Sequence, residues 1–431
     1  MTRIEPKILK GFRDFLPAAE AQRKRVQAVL EKTFTGFGFV PIDTPVLEYT
    51  EILLGKGDGE TDKQLYRFRD NGDRDVALRF DLTVPFARFM AAHFRELYLP
   101  FKRYHIAKVF RGENSQKGRY REFVQCDFDI VGTDSAGADF EILLLMRESL
   151  RNLGAGRLCI HFSHRGIFNR TLERLGIAAS CREILRAVDK IRKTGEGEVR
   201  AVLEGLCGSE SAGVILEFIT PEKTNADTLK KITTLAGGDA EDSSRMAAIL
   251  AWMKALNCED AYVLDPSITR GLDYYTGIVF ETFLTDLPGI GSVCSGGRYN
   301  DLASLYTQEK LPGVGSSIGL DRLLAALEEL GQTAGGEAQT QVIIFCGEDE
   351  DFAACHSASR FLREAGLAVD VYPENAKQAR QFAFAEKKGI PFGIFLKKDS
   401  VSLRDLRSRE NVDGLDLARA AEEIKRRLGN L

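Results

Sequence analysis

The hairpin running from Lys102 to Glu122 concentrates the side chains best suited to chemistry. It carries seven Lys/Arg against two Asp/Glu, a local positive charge in a chain of net charge −4. Beyond it the sequence alternates. Val124, Cys126, Phe128 and Ile130 fall on one face of an extended strand, and Phe123, Gln125, Asp127 and Asp129 on the other. Tyr104 to Phe110, aromatic and β-branched, reads as its partner strand, with the polar, glycine-bounded loop Gly112 to Tyr120 between the two. A basic loop beside a strand face that offers a ring, an amide and carboxylates suits an anionic, aromatic ligand such as a nucleotide. The competing reading is a basic hairpin that is merely solvated.

Three further clusters are of the same type. LRFDLTVPFAR places Asp81 and Thr83 where a strand ends and a helix begins. TRGLDYYTGIVFE sets Arg270 before a glycine and four residues ahead of the pair Tyr274-Tyr275. GVGSSIGLDR, from Gly313, delivers Arg322 into the first turn of a helix. Taken singly these are weak: a lone arginine is usually a surface ion pair, and a tyrosine pair is usually sheet filling. There is no GxxxxGK[ST], so the phosphate chemistry is not that of a P-loop.

The elements that must position these residues follow from the patterning. Glu20 to Phe34 reads as an amphipathic helix after the turn-like lead-in Gly11 to Pro17 (GFRDFLP). Phe37 to Leu47, apolar but interrupted by two prolines, suits an edge or interface strand. Leu65–Arg69 and Asp75–Asp81 form a hairpin around Asn71-Gly72. Thr83 to Phe94 and Ala138 to Leu153 are helical, the second buried. Roughly Ile167 to Met253 is charged, helical and glycine-punctuated, an insertion. Strand signals return at Tyr262–Leu264 and Leu272–Phe283. Ser292–Gly297 (SVCSGG) reads as a glycine-rich stop, and Ile318–Leu330 as an amphipathic helix. After the linker Gly331 to Gln341, strands at Val342–Cys346, Ala368–Tyr372 and Phe392–Leu396 alternate with helices, the last from Gly414 to Leu428, which makes an α/β domain. From Asn375 onward thirteen Lys/Arg oppose eight Asp/Glu.

Composition bounds the rest. At 431 residues, 44% hydrophobic and 28% charged, the chain has the makeup of a soluble globular protein of two or three domains. The eight cysteines form no CxxC pair and no ligand-like spacing with the five histidines, so neither a disulfide framework nor a zinc site is expected. With no apolar signal core near the N-terminus and no run of 18 apolar residues, no membrane partner is expected and the cytoplasm is the expected compartment.

Taken together, Phe110-Arg111-Gly112-Glu113, the basic loop and the GxGxxxGxxR element ending at Arg322 resemble the second and third signature motifs of class II aminoacyl-tRNA synthetases. LRFDLTVPFAR, FRGENSQKGRYREFVQCDFD, RGLDYYTG and CSGGRYNDL resemble the motifs of the histidyl-tRNA synthetase family, over a span from about Lys10 to the C-terminus. RGLDYY is the most discriminating of these. The resemblance implies an α+β fold: a mixed, mainly antiparallel sheet with helices and a helical insertion (about 167–253) in a catalytic core of residues 1–330. It also implies a linker, 331–340, and an anticodon-binding α/β domain, 341–431. A homodimer through Pro41 to Leu47 is implied as well.

The implied activity is histidine–tRNA ligation, in which L-histidine is activated by ATP and transferred to tRNA(His), with Mg²⁺ accompanying the nucleotide and no zinc. The resemblance assigns Arg111 and Arg270 to opposite sides of the α-phosphate and Arg322 to the adenine and terminal phosphate. Guanidinium suits the task because its planar fork stays charged and binds phosphate in a bidentate way. Glu113 would read the adenine amino group, Phe123 would stack on the ring, and Arg119 would contact ATP. Asp81, Thr83 and Gln125 would hold the backbone end of histidine; Asp129, Tyr274 and Tyr275 would flank its imidazole. Many members carry Glu at the positions of Asp81 and Asp129; Asp, one methylene shorter, occurs in another branch. Asn114, Gln116 and Lys117 lie where the acceptor stem is contacted.

Two other readings are weaker. A regulatory relative that partners ATP phosphoribosyltransferase generally lacks the C-terminal domain and parts of the ATP motifs, whereas this chain keeps Arg111, Glu113, Arg270, Arg322 and that domain. A threonine or proline enzyme of the same class conflicts with RGLDYY and with the absence of zinc ligands.

Overall fold

The computed structural model describes residues 3–55, 64–114, 118–269, 275–332, 339–347 and 351–429. The chain separates into two compact units, Met1–Thr333 and Ala334–Leu431. In the first unit the strands are β1 Val40–Pro41, β2 Leu47–Tyr49, β3 Arg67–Arg69, β4 Asp75–Leu78, β5 Phe101–Phe110, β6 Glu122–Val131, β7 Leu158–His164, β8 Tyr262–Leu264, β9 Ile278–Leu284, β10 Cys294–Arg298 and β11 Gly313–Gly319. Eight of them form one sheet in the order β1-β5-β6-β11-β10-β9-β7-β8. Its interior is antiparallel, and only the edge pairs β1/β5 and β7/β8 are parallel. The expected mixed, mainly antiparallel sheet is therefore present.

Its organising pair is the long hairpin β5–β6, in register from Phe101↔Val131 to Phe110↔Glu122. The alternation in β6 sends Val124, Cys126, Phe128 and Ile130 into the core, where Phe128 meets Phe34 at 5.0 Å between ring centroids. Phe34 belongs to helix Pro17–Gly36, which lies on this face beside the buried helix Ala136–Asn152. Each large side chain so buried contributes about 1.5–3 kcal/mol, and moving β6 by one residue would put all four in the polar cleft. The second sheet, β2-β4-β3, closes the expected turn at Asn71-Gly72, with Asp73 in the left-handed region (φ 58°).

Several expectations need correction. Ser292–Gly297 does not stop the chain, because Cys294 to Gly297 lie within β10, a central strand. A Cβ at Gly296 would sit 2.1 Å from Gly315 O, so the glycines there admit close strand approach instead of breaking the strand. Ile318 and Gly319 belong to β11, and the helix starts at Leu320. Phe37–Leu47 divides between β1, at the edge of the large sheet, and β2 in the small one. β9 begins at Ile278, and the earlier part of that expected strand, 272–274, lies outside the described residues. Strand β7 has no counterpart in the sequence reading. Between β7 and β8 the chain is helical, from Arg165–Arg174 to Glu241–Ala255, with a break at Gly208 (φ 81°).

The second unit pairs β12 Val342–Phe345 in parallel with β13 Val369–Val371 and β14 Phe392–Leu396, as the alternating pattern predicts. It then adds two antiparallel strands, β15 Val401–Asp405 and β16 Asn411–Leu415. Gly414 lies in β16, so the last helix is Leu417–Leu428, capped by Asp416 accepting from Arg419 N at 2.7 Å. Among the described residues no helix is long and apolar enough to cross a membrane.

Candidate active site

The face of the large sheet opposite the Phe128 core is polar, and strand register fixes which residues share it. One row crosses the sheet as Arg103, Asp129, Gly315, Gly297 and Val279. The next runs His105, Asp127, Ser317, Ser295 and Glu281, and a third begins Ala107, Gln125 and Gly319. Glycine is required in the first row. A Cβ on Gly315 would fall 1.9 Å from Asp129 Oδ1, and one on Gly297 would fall 2.9 Å from Tyr275 Cδ1. The Asp129 carboxylate and the Tyr275 ring thus lie over neighbouring glycines of the same row. Two of the three groups expected to flank an imidazole share this row. The Tyr299 hydroxyl donates to Asp129 Oδ1 at 2.5 Å.

Charge in this cleft is unusually deep. Arg103 is fully buried, its guanidinium 4.0 Å from the Phe86 ring centroid and its Nη2 2.7 Å from Asp129 Oδ2. The N–H vectors do not line up with that oxygen, so the pair is coulombic and not a linear hydrogen bond. Asp81, at the start of helix Thr83–His93, accepts from Val84 N at 3.2 Å through Oδ1. Burial pushes its carboxyl up to about 6, against the pull of the Val84 N–H, Arg111 and Arg103. Burial pushes Asp127 to about 7, against Arg103 and the Ser317 hydroxyl and with Asp129 and Asp81 adding repulsion. Asp129 is raised by burial too, opposed by Arg103 and the Tyr299 hydroxyl. His105 is held neutral, down to about 4, by burial and by Arg103 and Arg79, with Nε2 2.9 Å from Asp43 Oδ1.

Three carboxylates therefore lie about Arg103, with Arg111 also acting on Asp81. Asp81 Oδ2, Gln125 Oε1 and Asp127 Oδ1 are buried without a hydrogen-bond partner among the described residues, while Gln125 Nε2 donates to Ser317 Oγ at 2.9 Å. Buried acceptors left open cost stability unless a ligand completes them. The arrangement seeks a cation with several N–H donors. Thr83 is half-buried at the first position of its helix, beside Asp81.

The other half of the cleft has the opposite polarity. Arg111 Nε donates to Phe80 O at 2.9 Å, and its guanidinium lies 5.2 Å from the Phe123 ring centroid. Arg119 approaches Glu113 to 3.8 Å. Arg322 Nη1 donates to Ser292 O at 2.5 Å, and a Cβ on Gly118 would lie 3.4 Å from Arg322 Cα, so the basic loop runs against the start of helix Leu320–Glu329. Arg111, Glu113, Arg119, Phe123 and Arg322 thus gather about one hairpin, with Asn114 at the border of 115–117. Arg270, Tyr274, Gln116 and Lys117 lie outside the described residues. Among the described residues no three His, Cys, Asp or Glu are placed to hold a metal.

The sequence reading assigned no role to Arg103, Asp127, Ser317 or Tyr299. Asp127 was visible in the β6 alternation. Arg103 meets Asp129 only through the β5–β6 register, and Tyr299 meets it only across the sheet.

A mainly antiparallel sheet that combines a basic hairpin with a glycine-bearing strand feeding an arginine into a helix is the catalytic architecture of a class II aminoacyl-tRNA synthetase. Residues 11–323 match the family model described as histidyl-tRNA synthetase, and residues 341–427 match that of an anticodon binding domain. The histidine–tRNA ligase of Treponema denticola is 52% identical over 441 residues, 98% of each chain. That of Rhodopirellula baltica is 44% identical over 95% of each. The crystal structure of histidyl-tRNA synthetase from Nostoc sp. PCC 7120 superposes with a TM-score of 0.87 at 32% identity, covering 99% of this chain and 100% of that one. An ATP phosphoribosyltransferase regulatory subunit/histidyl-tRNA synthetase from Bacillus halodurans C, at 21% identity and TM-score 0.75, shares the fold. The chain belongs to the histidyl-tRNA synthetase family.

Proposed function

We propose that this cleft performs both steps of the family's reaction: ATP-dependent formation of histidyl-adenylate and pyrophosphate, then transfer of histidine to the 3′ end of tRNA(His). The ligase activity follows from membership of the family; the assignment of steps to residues is our reading. The observation that carries it is the polarity of the cleft. Open acceptors on Asp81, Gln125 and Asp127 face the sheet, and the guanidinia of Arg111, anchored on Phe80 O beside Asp81, and of Arg322, beyond the end of β11, border them. Free histidine is a zwitterion that matches this. Its ammonium suits Asp81, Thr83, Gln125 and Asp127, and its imidazole suits the Asp129 carboxylate and the phenols of Tyr274 and Tyr275, which supply an acceptor and a donor. Its carboxylate is then directed at the α-phosphate.

In the first step a carboxylate oxygen forms the bond to the α-phosphorus as the bond to pyrophosphate breaks, and charge accumulates on the phosphate oxygens. Arg111 and Arg270 would stabilise that charge from two sides, with Arg322 on the terminal phosphate and adenine. Phe123 would stack on the adenine, Glu113 would read its amino group, and Arg119 would hold the phosphates. Mg²⁺ would neutralise pyrophosphate oxygens. Asn114, Gln116 and Lys117 would meet the acceptor end, and the unit Ala334–Leu431 the anticodon, through phosphate contacts of its basic residues. Exposed Val46, Leu47 and Tyr49, with Phe68 in the same cross-strand row as Tyr49, support a homodimer through this face of the small sheet. The working compartment is the cytoplasm.

The test is ATP–pyrophosphate exchange measured with each amino acid in turn. Exchange driven by histidine alone is expected. Histidine binding without exchange for any amino acid would replace the ligase by a histidine sensor.

A further inference from the structure

The lead-in Gly11–Pro17 makes contacts that the reaction outlined above does not use. Arg13 Nη2 donates to Asp321 Oδ1 at 2.5 Å, and the same guanidinium lies 3.3 Å from the centroid of the Tyr120 ring. Tyr120 closes the basic loop just before β6, and Asp321 precedes Arg322. A single side chain thus links the end of the basic loop to the residue before Arg322. Its surroundings brace it. Arg121 N donates to Gly11 O at 2.8 Å, and Phe15 lies beneath the guanidinia of Arg13 (4.7 Å) and Arg23 (3.8 Å).

Asp321 is the hub of this arrangement. It is buried, and besides Arg13 it accepts from Arg23 Nη1 at 2.8 Å and, through Oδ2, from Val124 N at 2.8 Å. The β6–β11 ladder ends at Gln125↔Gly319, so the carboxylate satisfies the next N–H of β6, which has passed the end of the strand. It also lies in the first helical turn, where negative charge is favoured. Removing Arg13 leaves Arg23 and Val124 on Asp321, so charge compensation and fold survive. What disappears is the link from Asp321 to Tyr120.

We propose that Arg13 is a positioning residue for ATP: by stacking on Tyr120 while paired with Asp321, it sets the spacing between the basic loop and Arg322. The inference rests on the reading that the loop and Arg322 hold ATP, while the histidine-facing side chains lie further along the same strands, at Gln125 to Asp129 of β6 and Ser317 of β11, and at Asp81. Arg13 touches only the ends of those strands nearest the loop and Arg322, at Tyr120 and Asp321, so its loss is expected to act on ATP more than on histidine. Lysine restores a cation for Asp321 but not a planar group that stacks.

The experiment is ATP–pyrophosphate exchange with wild-type protein, Arg13→Ala, Arg13→Lys, Tyr120→Leu and the Arg13→Ala/Tyr120→Leu double variant, with thermal melts of each. Histidine-dependent exchange by the wild type establishes the underlying reading independently. Arg13→Ala is expected to raise KM for ATP at least tenfold with KM for histidine within twofold, Arg13→Lys to fall between, and the double variant to match the worse single variant. Should Arg13→Ala fail to fold, Tyr120→Leu, which keeps the Asp321 ion pair, carries the same expectation. Equal movement of both KM values, movement of neither, or additive single effects overturns the proposal.

Discussion

Replacing Asp127 by Asn is predicted to stabilise the unliganded protein at alkaline pH while weakening its hold on histidine. Asp127 is buried and faces Arg103 and His105 on β5, Asp129 on its own strand, Ser317 on β11 and Asp81 from the loop after β4. Burial, with repulsion from the two aspartates, raises its carboxyl from 3.8 to about 7. Between those values the folded protein keeps a proton that the unfolded chain has released. Stability therefore falls as pH rises through this window, by about 1.4 kcal/mol per pH unit, and levels off above the upper value. The accumulated loss is on the order of 4 kcal/mol. Asparagine has the same shape and does not ionise, so it escapes the loss. Asp81, raised to about 6, titrates in both proteins and largely cancels in the comparison.

The assay is thermal unfolding of both proteins from pH 5 to pH 8.5 without ligand. The melting temperature of Asp127→Asn relative to wild type should climb by several degrees across that range. Histidine should narrow the gap, because its ammonium supplies the positive charge the carboxylate lacks. Affinity for histidine should fall roughly tenfold to a hundredfold in the variant, the usual value of a hydrogen bond to a charged group. A difference in melting temperature that stays constant with pH would show that Asp127 is already compensated, and the account of the open pocket would fail with it.

Arg111→Ala and Arg270→Ala should each slow adenylate formation roughly 10²–10³-fold in single-turnover assays while leaving the melting temperature near wild type; a loss below tenfold removes that arginine from the mechanism. Gly315→Ala should abolish histidine binding in calorimetry, since its Cβ would meet Asp129 Oδ1 at 1.9 Å and displace the carboxylate from the slot. Unchanged binding would mean Asp129 is not where the imidazole goes.

The sequence was most legible where a period settled the matter. Alternation in Val124–Ile130 separates core from cleft because successive strand side chains point to opposite faces, and Gln125 and Asp129 are on the polar side as expected. It was least legible where glycine has two meanings. Gly296 and Gly297 resemble a chain break, yet they are small because Gly315 O and Ile278 O approach too closely for any Cβ, a fact that belongs to strands far off in sequence. β16 was missed because NVDGL is largely exposed and shows no apolar alternation. Arg103 and Tyr299 belong to the site only through cross-strand register, which no local pattern encodes.

A second buried network shows that the open acceptors are not the result of loose packing. Asp139, fully buried in helix Ala136–Asn152, accepts from Arg298 Nε at 2.8 Å through one oxygen and from Arg245 Nε at 2.7 Å through the other. There the fold completes a buried carboxylate with two guanidinia, which is what a purely structural charge needs. Around Arg103 the same fold leaves Asp81 Oδ2 and Asp127 Oδ1 unmet, with Arg103 paired to Asp129 and Arg111 acting on Asp81 without a hydrogen bond to Oδ2. Completing that set internally would strengthen the protein and remove its attraction for an ammonium group. On the proposed reading, the carboxylates left open here, set against the guanidinia of Arg111 and Arg322, would turn a bound zwitterion with its carboxylate toward the triphosphate. The energetic cost of the open cluster would then be tied to the direction in which the substrate must react.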